Sequence, residues 1–227
     1  MISIEDGVAV IRMDDGKANA VGHDLIDGIH AALDRAEAEA TAVAILGREG
    51  RFSAGFDLSV MSGGADEVRR LVHRGGELLM RLYGHPQPVV AGVTGHALAA
   101  GALLALACDT RIGAEGTFKI GLNETAIGMA LPQFALALAE ERLSKRWFVR
   151  CTVQAEVLDP AGAVDAGYLD RVVPAADLER AVLHDASRLG QLPTGAYRAT
   201  KRRTRGEVID RVLAGLADDM SGLTGPS

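Results

Sequence analysis

Apolar and polar positions along the chain follow two different periods. Val8 to Met13 is a mostly apolar run closed by Gly7 on one side and Asp14-Asp15-Gly16 on the other, which predicts a strand. From His23 to Ala38 the spacing changes, and Leu25, Ile26, Ile29, Ala32 and Leu33 recur on one face of a helix. Val43-Ala44-Ile45-Leu46 predicts a second strand, followed by a glycine-bearing loop from Gly47 to Asp57. Helical spacing returns from Ala65 to Tyr83, with Gly75-Gly76 as a weak point, since glycine costs ~1 kcal/mol against alanine inside a helix. After Pro86 and Pro88, Val89 to Val93 predicts a third strand, a turn follows, and Ala99 to Ala107 is the helix behind it.

Strands alternating with helices at this spacing predict an α/β fold around a largely parallel sheet, built of ββα or βαβ units. From Pro132 onward the pattern is mainly helical. Asp159-Pro160 is a helix start, with a capping aspartate and proline in the first turn, and Tyr168 to Val173 is a short extended piece. Two or three amphipathic helices follow. A boundary near Pro174 therefore separates a core, residues 1–174, from a C-terminal helical region, residues 175–227.

Composition narrows this picture. Of 227 residues, 48% are hydrophobic but only 4% aromatic, so the core is made of Ala, Val, Leu and Ile with closely packed backbones. The formal charge of −6, from 24 basic and 30 acidic residues, argues against nucleic acid or an anionic membrane as the main partner. Val89 to Cys108 lacks Asp, Glu, Lys and Arg and approaches the ~20 residues of a membrane span, but Gly92, Thr94, Gly95 and His96 interrupt it. Two cysteines, Cys108 and Cys151, make no disulfide framework, and the N-terminus carries no export or transit pattern; a reducing cytoplasmic setting is expected.

Three segments carry candidate chemistry. In Arg51-Phe52-Ser53-Ala54-Gly55-Phe56-Asp57-Leu58 a strand ends at a glycine, which can leave the next N–H unpaired. In Thr94-Gly95-His96-Ala97-Leu98-Ala99-Ala100-Gly101 a strand enters a helix whose first N–H groups lie at the positive end of the dipole. Two such donors aimed at one point make an oxyanion hole, although either turn taken alone reads first as ordinary strand-to-helix punctuation. The third segment, Ile120-Gly121-Leu122-Asn123-Glu124-Thr125, places a carboxylate among apolar neighbours, where desolvation raises its pKa toward neutrality and suits it to exchange protons.

Together these segments, in this order and with Asp159-Pro160 through Val173-Pro174 after them, resemble the crotonase (enoyl-CoA hydratase/isomerase) superfamily over most of residues 8–174. The resemblance implies a crotonase-like fold of repeated ββα units with a C-terminal helical trimerisation region. It implies an acyl-CoA thioester substrate, with the N–H groups of Phe56 and Ala100 holding the thioester oxygen and Glu124 as the acid/base. It points to Lys17, Ala18 and Asn19, to Ala54, Gly55, Phe56, Asp57 and Leu58, and to His96, Ala99, Gly101, Leu103 and Lys201 as substrate- or coenzyme A-contacting positions. Lys201 belongs to a basic cluster, Lys201-Arg202-Arg203-Thr204-Arg205, that also reads as a solvated helix face, and His96 also reads as a hydrogen-bonded core histidine.

Two departures matter. The family usually has glycines where this chain has Ala99 and Ala100, and an added methyl narrows the site. Hydratases of the family carry a second glutamate where this chain has Leu103, whereas the single-glutamate 3-enoyl to 2-enoyl-CoA isomerases resemble this chain in having Leu at that position. Isomerisation in fatty acid metabolism is therefore the expected activity, with hydration as the alternative and a non-catalytic acyl-CoA-binding protein as the second alternative. No cofactor beyond the coenzyme A of the substrate is expected. A homotrimer or homohexamer is expected both from the resemblance and because Ala181, Val182, Leu189, Val208, Ile209, Val212, Leu213 and Leu216 need a surface to cover.

Other motifs fail on spacing. Gly50 to Gly55 has one residue too many before the serine for a nucleophile elbow. Lys17 after Gly16 lacks the Ser or Thr of a phosphate loop, and the six histidines show no metal-ligand spacing.

Overall fold

The computed structural model describes residues 1–221. The chain runs β1 (Ile2–Glu5), β2 (Val8–Arg12), α1 (His23–Glu39), β3 (Ala42–Leu46), β4 (Gly50–Ser53), α2 (Leu58–Met61), α3 (Ala65–Tyr83), β5 (Val89–Val93), β6 (Gly95–Leu98) and α4 (Ala100–Ala107). It continues through β7 (Thr110–Ala114), β8 (Ile120–Gly121), α5 (Gln133–Arg142), α6 (Lys145–Thr152), α7 (Pro160–Ala166), β9 (Arg171–Val173), α8 (Leu178–Gly190) and α9 (Thr194–Ser221).

The strands form two sheets, a larger one in the order β1-β2-β3-β5-β7-β9 and a smaller one in the order β4-β6-β8. Among the strand pairs of the described residues, β1 with β2 is antiparallel and the others are parallel. Successive strand pairs, β3 with β4, β5 with β6 and β7 with β8, each send their first member to the large sheet and their second to the small one. A helix follows each pair, so the ββα repeat is explicit. Because β4, β6 and β8 are parallel neighbours, their C-terminal ends open on the same side. The three segments singled out in the sequence leave those three ends.

Both faces of the large sheet are covered, which explains why its strands are continuous apolar runs. On one face Ala9, Ile11, Val43, Ile45, Val89 and Ala91 join the main core with α1, α3, α4 and α5. On the other, Val10, Ala44, Leu46 and Val90 pack against Leu178, Val182 and Ala186 of α8.

Several sequence expectations change here. The predicted loop from Gly47 to Asp57 contains β4, and the turn before α4 contains β6; each strand is four residues long, too short to show a period. The extended piece from Tyr168 shortens to Arg171–Val173, because Gly167 closes α7 with φ +101° and Tyr168 turns into the core. Gly75-Gly76 does not interrupt α3, which runs unbroken from Ala65 to Tyr83. A Cβ at Gly75 would stand 2.5 Å from the Phe56 ring, and one at Gly76 would stand 2.9 Å from Leu216 and Phe134. Both glycines let neighbours approach the helix.

The apolar residues after Pro174 find their cover within the chain. Val182, with Ala181 and Leu189, lies under the sheet. Ile209, Val212 and Leu216, with Val208, pack into the main core beside α3. Leu213 alone of that set stays exposed, at 45%. Residues 222–227 of the C-terminal region lie outside the described residues. Among the described residues no helix is long and apolar enough to cross a membrane.

Candidate active site

The first turn is held by the loop before α1. Asn19, buried and with φ +51°, donates from its side-chain amide to the carbonyl oxygens of Met13 (2.8 Å) and Phe52 (3.2 Å). The Ser53 hydroxyl donates to the Asn19 carbonyl at 2.7 Å, and Ala54 N–H donates to Ala18 at 3.0 Å. Further on, Val21 N–H donates to the Gly55 carbonyl (2.8 Å) and Asp57 N–H donates to the Val21 carbonyl (3.2 Å). Both bonds of this parallel bridge use the groups flanking Phe56, so the Phe56 N–H points to the other side, where no acceptor among the described residues meets it.

The second turn leaves β6. Ala99 N–H donates to the Gly121 carbonyl at 3.0 Å, and the first helical bond of α4 runs from Leu103 N–H to the Ala99 carbonyl at 3.1 Å. Ala100, at the first helical position, keeps its N–H free of backbone partners. Glycines press the two turns together. A Cβ at Gly55, whose φ is +102°, would stand 3.0 Å from the Ala99 Cβ and 3.6 Å from the Ala100 nitrogen. A Cβ at Gly101 would overlap the Ser53 carbonyl. The Phe56 and Ala100 donors thus belong to two turns in direct contact.

Glu124 follows β8 at the start of a single 3-10 turn, Thr125–Ile127. Its carbonyl accepts from Ile127 N–H and Met129 N–H, both at 3.0 Å, and Gly128, with φ +80°, makes the reversal possible. The Thr125 hydroxyl donates to the Thr152 carbonyl at 3.1 Å, tying this segment to α6. Glu124 is 8% exposed, and its Oε2 and the Oδ1 of Asn123 are buried without a hydrogen-bond partner among the described residues. Burial pushes the Glu124 carboxyl up to about 7.

A cavity of ≈ 820 Å³ joins these parts. Glu124, Phe56, Ala99, Leu103, Ala18, Ala54, Asp57, Leu58 and Lys17 all line it, with Lys17 and Leu58 exposed at the rim. The two other acids on its wall are occupied. Asp57 caps α2 by accepting from Ser59 N–H at 2.8 Å, and Asp15 accepts from the N–H groups of Lys17 and Asn19. Glu124 is therefore the buried, unpaired acid of the cavity, and Leu103, 1% exposed, shares the wall with it.

The remaining sequence candidates lie elsewhere. Asn19 is a buried brace, and Gly55 and Gly101 act through close packing. Ala100 is buried and is not part of the cavity wall, so of the two alanines it is Ala99 that lines the site. His96 Nδ1 accepts from Lys119 N–H at 2.9 Å, and its ring meets the Phe118 ring edge-on at 5.6 Å. Lys201 is not on a solvated face and does not reach this cavity: its ammonium is buried 2.7 Å from the Asp109 carboxylate. Met61, Val72, Met129, Pro132 and Phe134 also line the cavity. They come from α2, α3, the segment before α5 and α5 itself, and form no local motif. Among the described residues no cluster of His, Cys, Asp or Glu is placed to hold a metal ion.

The chain as a whole is similar to known proteins. The model of the enoyl-CoA hydratase/isomerase family matches residues 3–222. The human mitochondrial enoyl-CoA delta isomerase 1 is 29% identical over 217 residues, covering 91% of this chain and 70% of that protein. A probable enoyl-CoA hydratase of Bacillus subtilis is 35% identical over 138 residues, covering 59% of this chain and 53% of that protein. The crystal structure of an enoyl-CoA hydratase/isomerase family protein from Pseudomonas syringae superposes with a TM-score of 0.96 at 39% identity, covering 98% of this chain and 97% of the other.

Proposed function

The chain belongs to the enoyl-CoA hydratase/isomerase family, and on that premise we propose that it isomerises 3-enoyl-CoA thioesters to 2-enoyl-CoA thioesters in fatty acid metabolism. The observation that carries this reading is the pairing of one buried, unpaired carboxylate, Glu124, with an apolar Leu103 on the same cavity wall.

In this reading the thioester oxygen accepts hydrogen bonds from the N–H groups of Phe56 and Ala100. The Glu124 carboxylate takes a proton from C2. The electron pair left behind spreads over the carbonyl oxygen, which the two donors stabilise, and over C4 through the 3,4 double bond. Glu124, now protonated, returns the proton to C4, and the double bond settles between C2 and C3. A carboxyl with a pKa near 7 serves both halves, since it is a competent base and a competent acid at neutral pH. Coenzyme A enters as part of the substrate.

Hydration of 2-enoyl-CoA is the second reading, favoured by the hydratase names among the relatives. It needs a group that activates water as well as one that protonates C2, and Leu103 supplies neither. A binding protein without turnover would have no use for a buried, uncompensated Glu124. A cytoplasmic homotrimer or homohexamer fits the same reading, with exposed Val149, Val153 and Leu213 as surfaces for a partner copy.

The test is Glu124→Gln, which keeps shape and removes basicity. Isomerisation of a 3-enoyl-CoA should fall roughly 100- to 10,000-fold while acyl-CoA binding persists. An unchanged rate would remove Glu124 from the mechanism.

A further inference from the structure

We propose that the methyl group of Ala99 selects acyl-CoA thioesters that are unsubstituted at C2. The inference rests on reading the cavity as an acyl-CoA site. Ala99 holds φ +49° and ψ −125°, a conformation that residues with a side chain rarely adopt and glycine adopts freely. The strain is locked in by the Ala99 N–H bond to Gly121 and by the first bond of α4, which leaves from the Ala99 carbonyl. A side chain in such a conformation at a site points to a use for that side chain.

Its location suggests the use. Ala99 is part of the cavity wall, and a Cβ at Gly55 would stand 3.0 Å from the Ala99 Cβ and 3.6 Å from the Ala100 nitrogen, so the Ala99 methyl lies where the turns that present the Phe56 and Ala100 N–H groups meet. With the thioester oxygen in that hole, C2 is one bond from the carbonyl carbon and must turn one hydrogen toward Glu124. A methyl on C2 would then compete with the Ala99 methyl for the same space beside the hole. Gly55 across from it has no side chain to yield, and its own φ of +102° holds the backbone in place.

The test compares binding of hexanoyl-CoA and 2-methylhexanoyl-CoA to the wild-type protein and to Ala99→Gly by titration calorimetry, with thermal unfolding of both proteins. Wild type should prefer the straight chain by about 10-fold or more, the usual effect of one misfitting methyl group, and the variant should lose most of that preference. Its unfolding midpoint should rise by about 2–4 °C as the strain is released. Equal binding of the two thioesters by wild type, the same preference in both proteins, or a lower midpoint for the variant would overturn the proposal. Because neither probe carries a double bond, binding is read apart from turnover: hexanoyl-CoA binding by a protein that fails to isomerise a 3-enoyl-CoA in a separate assay would refute the reaction assigned above and leave this inference standing, whereas binding of neither thioester would overturn both.

Discussion

The Lys201 ammonium lies 2.7 Å from the Asp109 carboxylate, with the two side chains only 5% and 8% exposed. Asp109 also accepts from Arg205 at 2.7 Å and from the Val89 N–H at 2.8 Å, and Lys201 also donates to the carbonyl oxygens of His85 and Gln87. Helix α9 is thereby pinned to the start of β5. Burial alone would raise the Asp109 carboxyl, but Lys201 and Arg205 outweigh it and hold it below its usual value.

Asp109→Ala leaves a buried ammonium without its counter-charge and should cost about 3–5 kcal/mol in urea unfolding. The sign with pH follows from the lowered carboxyl: the stabilisation is present above the unfolded value of 3.8 and is lost as pH falls through the folded one. A loss under about 1 kcal/mol would show that the pair does not hold the helix.

Glu124 titrates in the opposite sense. Its raised carboxyl should give kcat/KM for isomerisation a rise with pH centred on about 7, because only the carboxylate removes the C2 proton. Stability should run the other way. Between the unfolded value of 4.5 and about 7 the folded chain keeps a proton that the unfolded chain has released, so stability declines as pH rises through that window. Glu124→Gln should therefore be more stable than wild type above pH 7, by a difference on the order of 2–3 kcal/mol, while losing activity. A variant less stable than wild type at pH 8 would contradict the burial account.

Much of this was legible in the sequence, and the rest was hidden for identifiable reasons. Helix α3 was readable to both ends because its apolar face repeats over nineteen residues. The turns around Gly55 and Ala99 and the Glu124 segment were readable because each is local. Strands β4, β6 and β8 were not, since each has four residues or fewer and gains meaning only from parallel neighbours. Asn19 and Lys201 look like surface groups in one dimension, and only the fold brings Phe52 and Asp109 to them. The roles of Gly75 and Gly76 likewise depend on Phe56 and Leu216, far away along the chain.

Leu103→Glu places a second carboxylate on the wall that Glu124 shares. The variant should gain measurable hydration of 2-enoyl-CoA and lose about 2–4 kcal/mol of stability, the cost of a polar group where an apolar one packed. Hydration assays alongside urea unfolding check both effects. A folded variant with no hydration would show that a second carboxylate at position 103 does not suffice to activate water.

The most direct test offers the wild-type enzyme a 3-enoyl-CoA and a 2-enoyl-CoA of equal chain length and concentration in separate reactions. Conjugated-thioester absorbance reports both, rising with isomerisation of the first and falling with hydration of the second. One carboxylate beside Leu103 predicts that the rise is faster than the fall; a fall faster than the rise would contradict the single-glutamate isomerase assigned here.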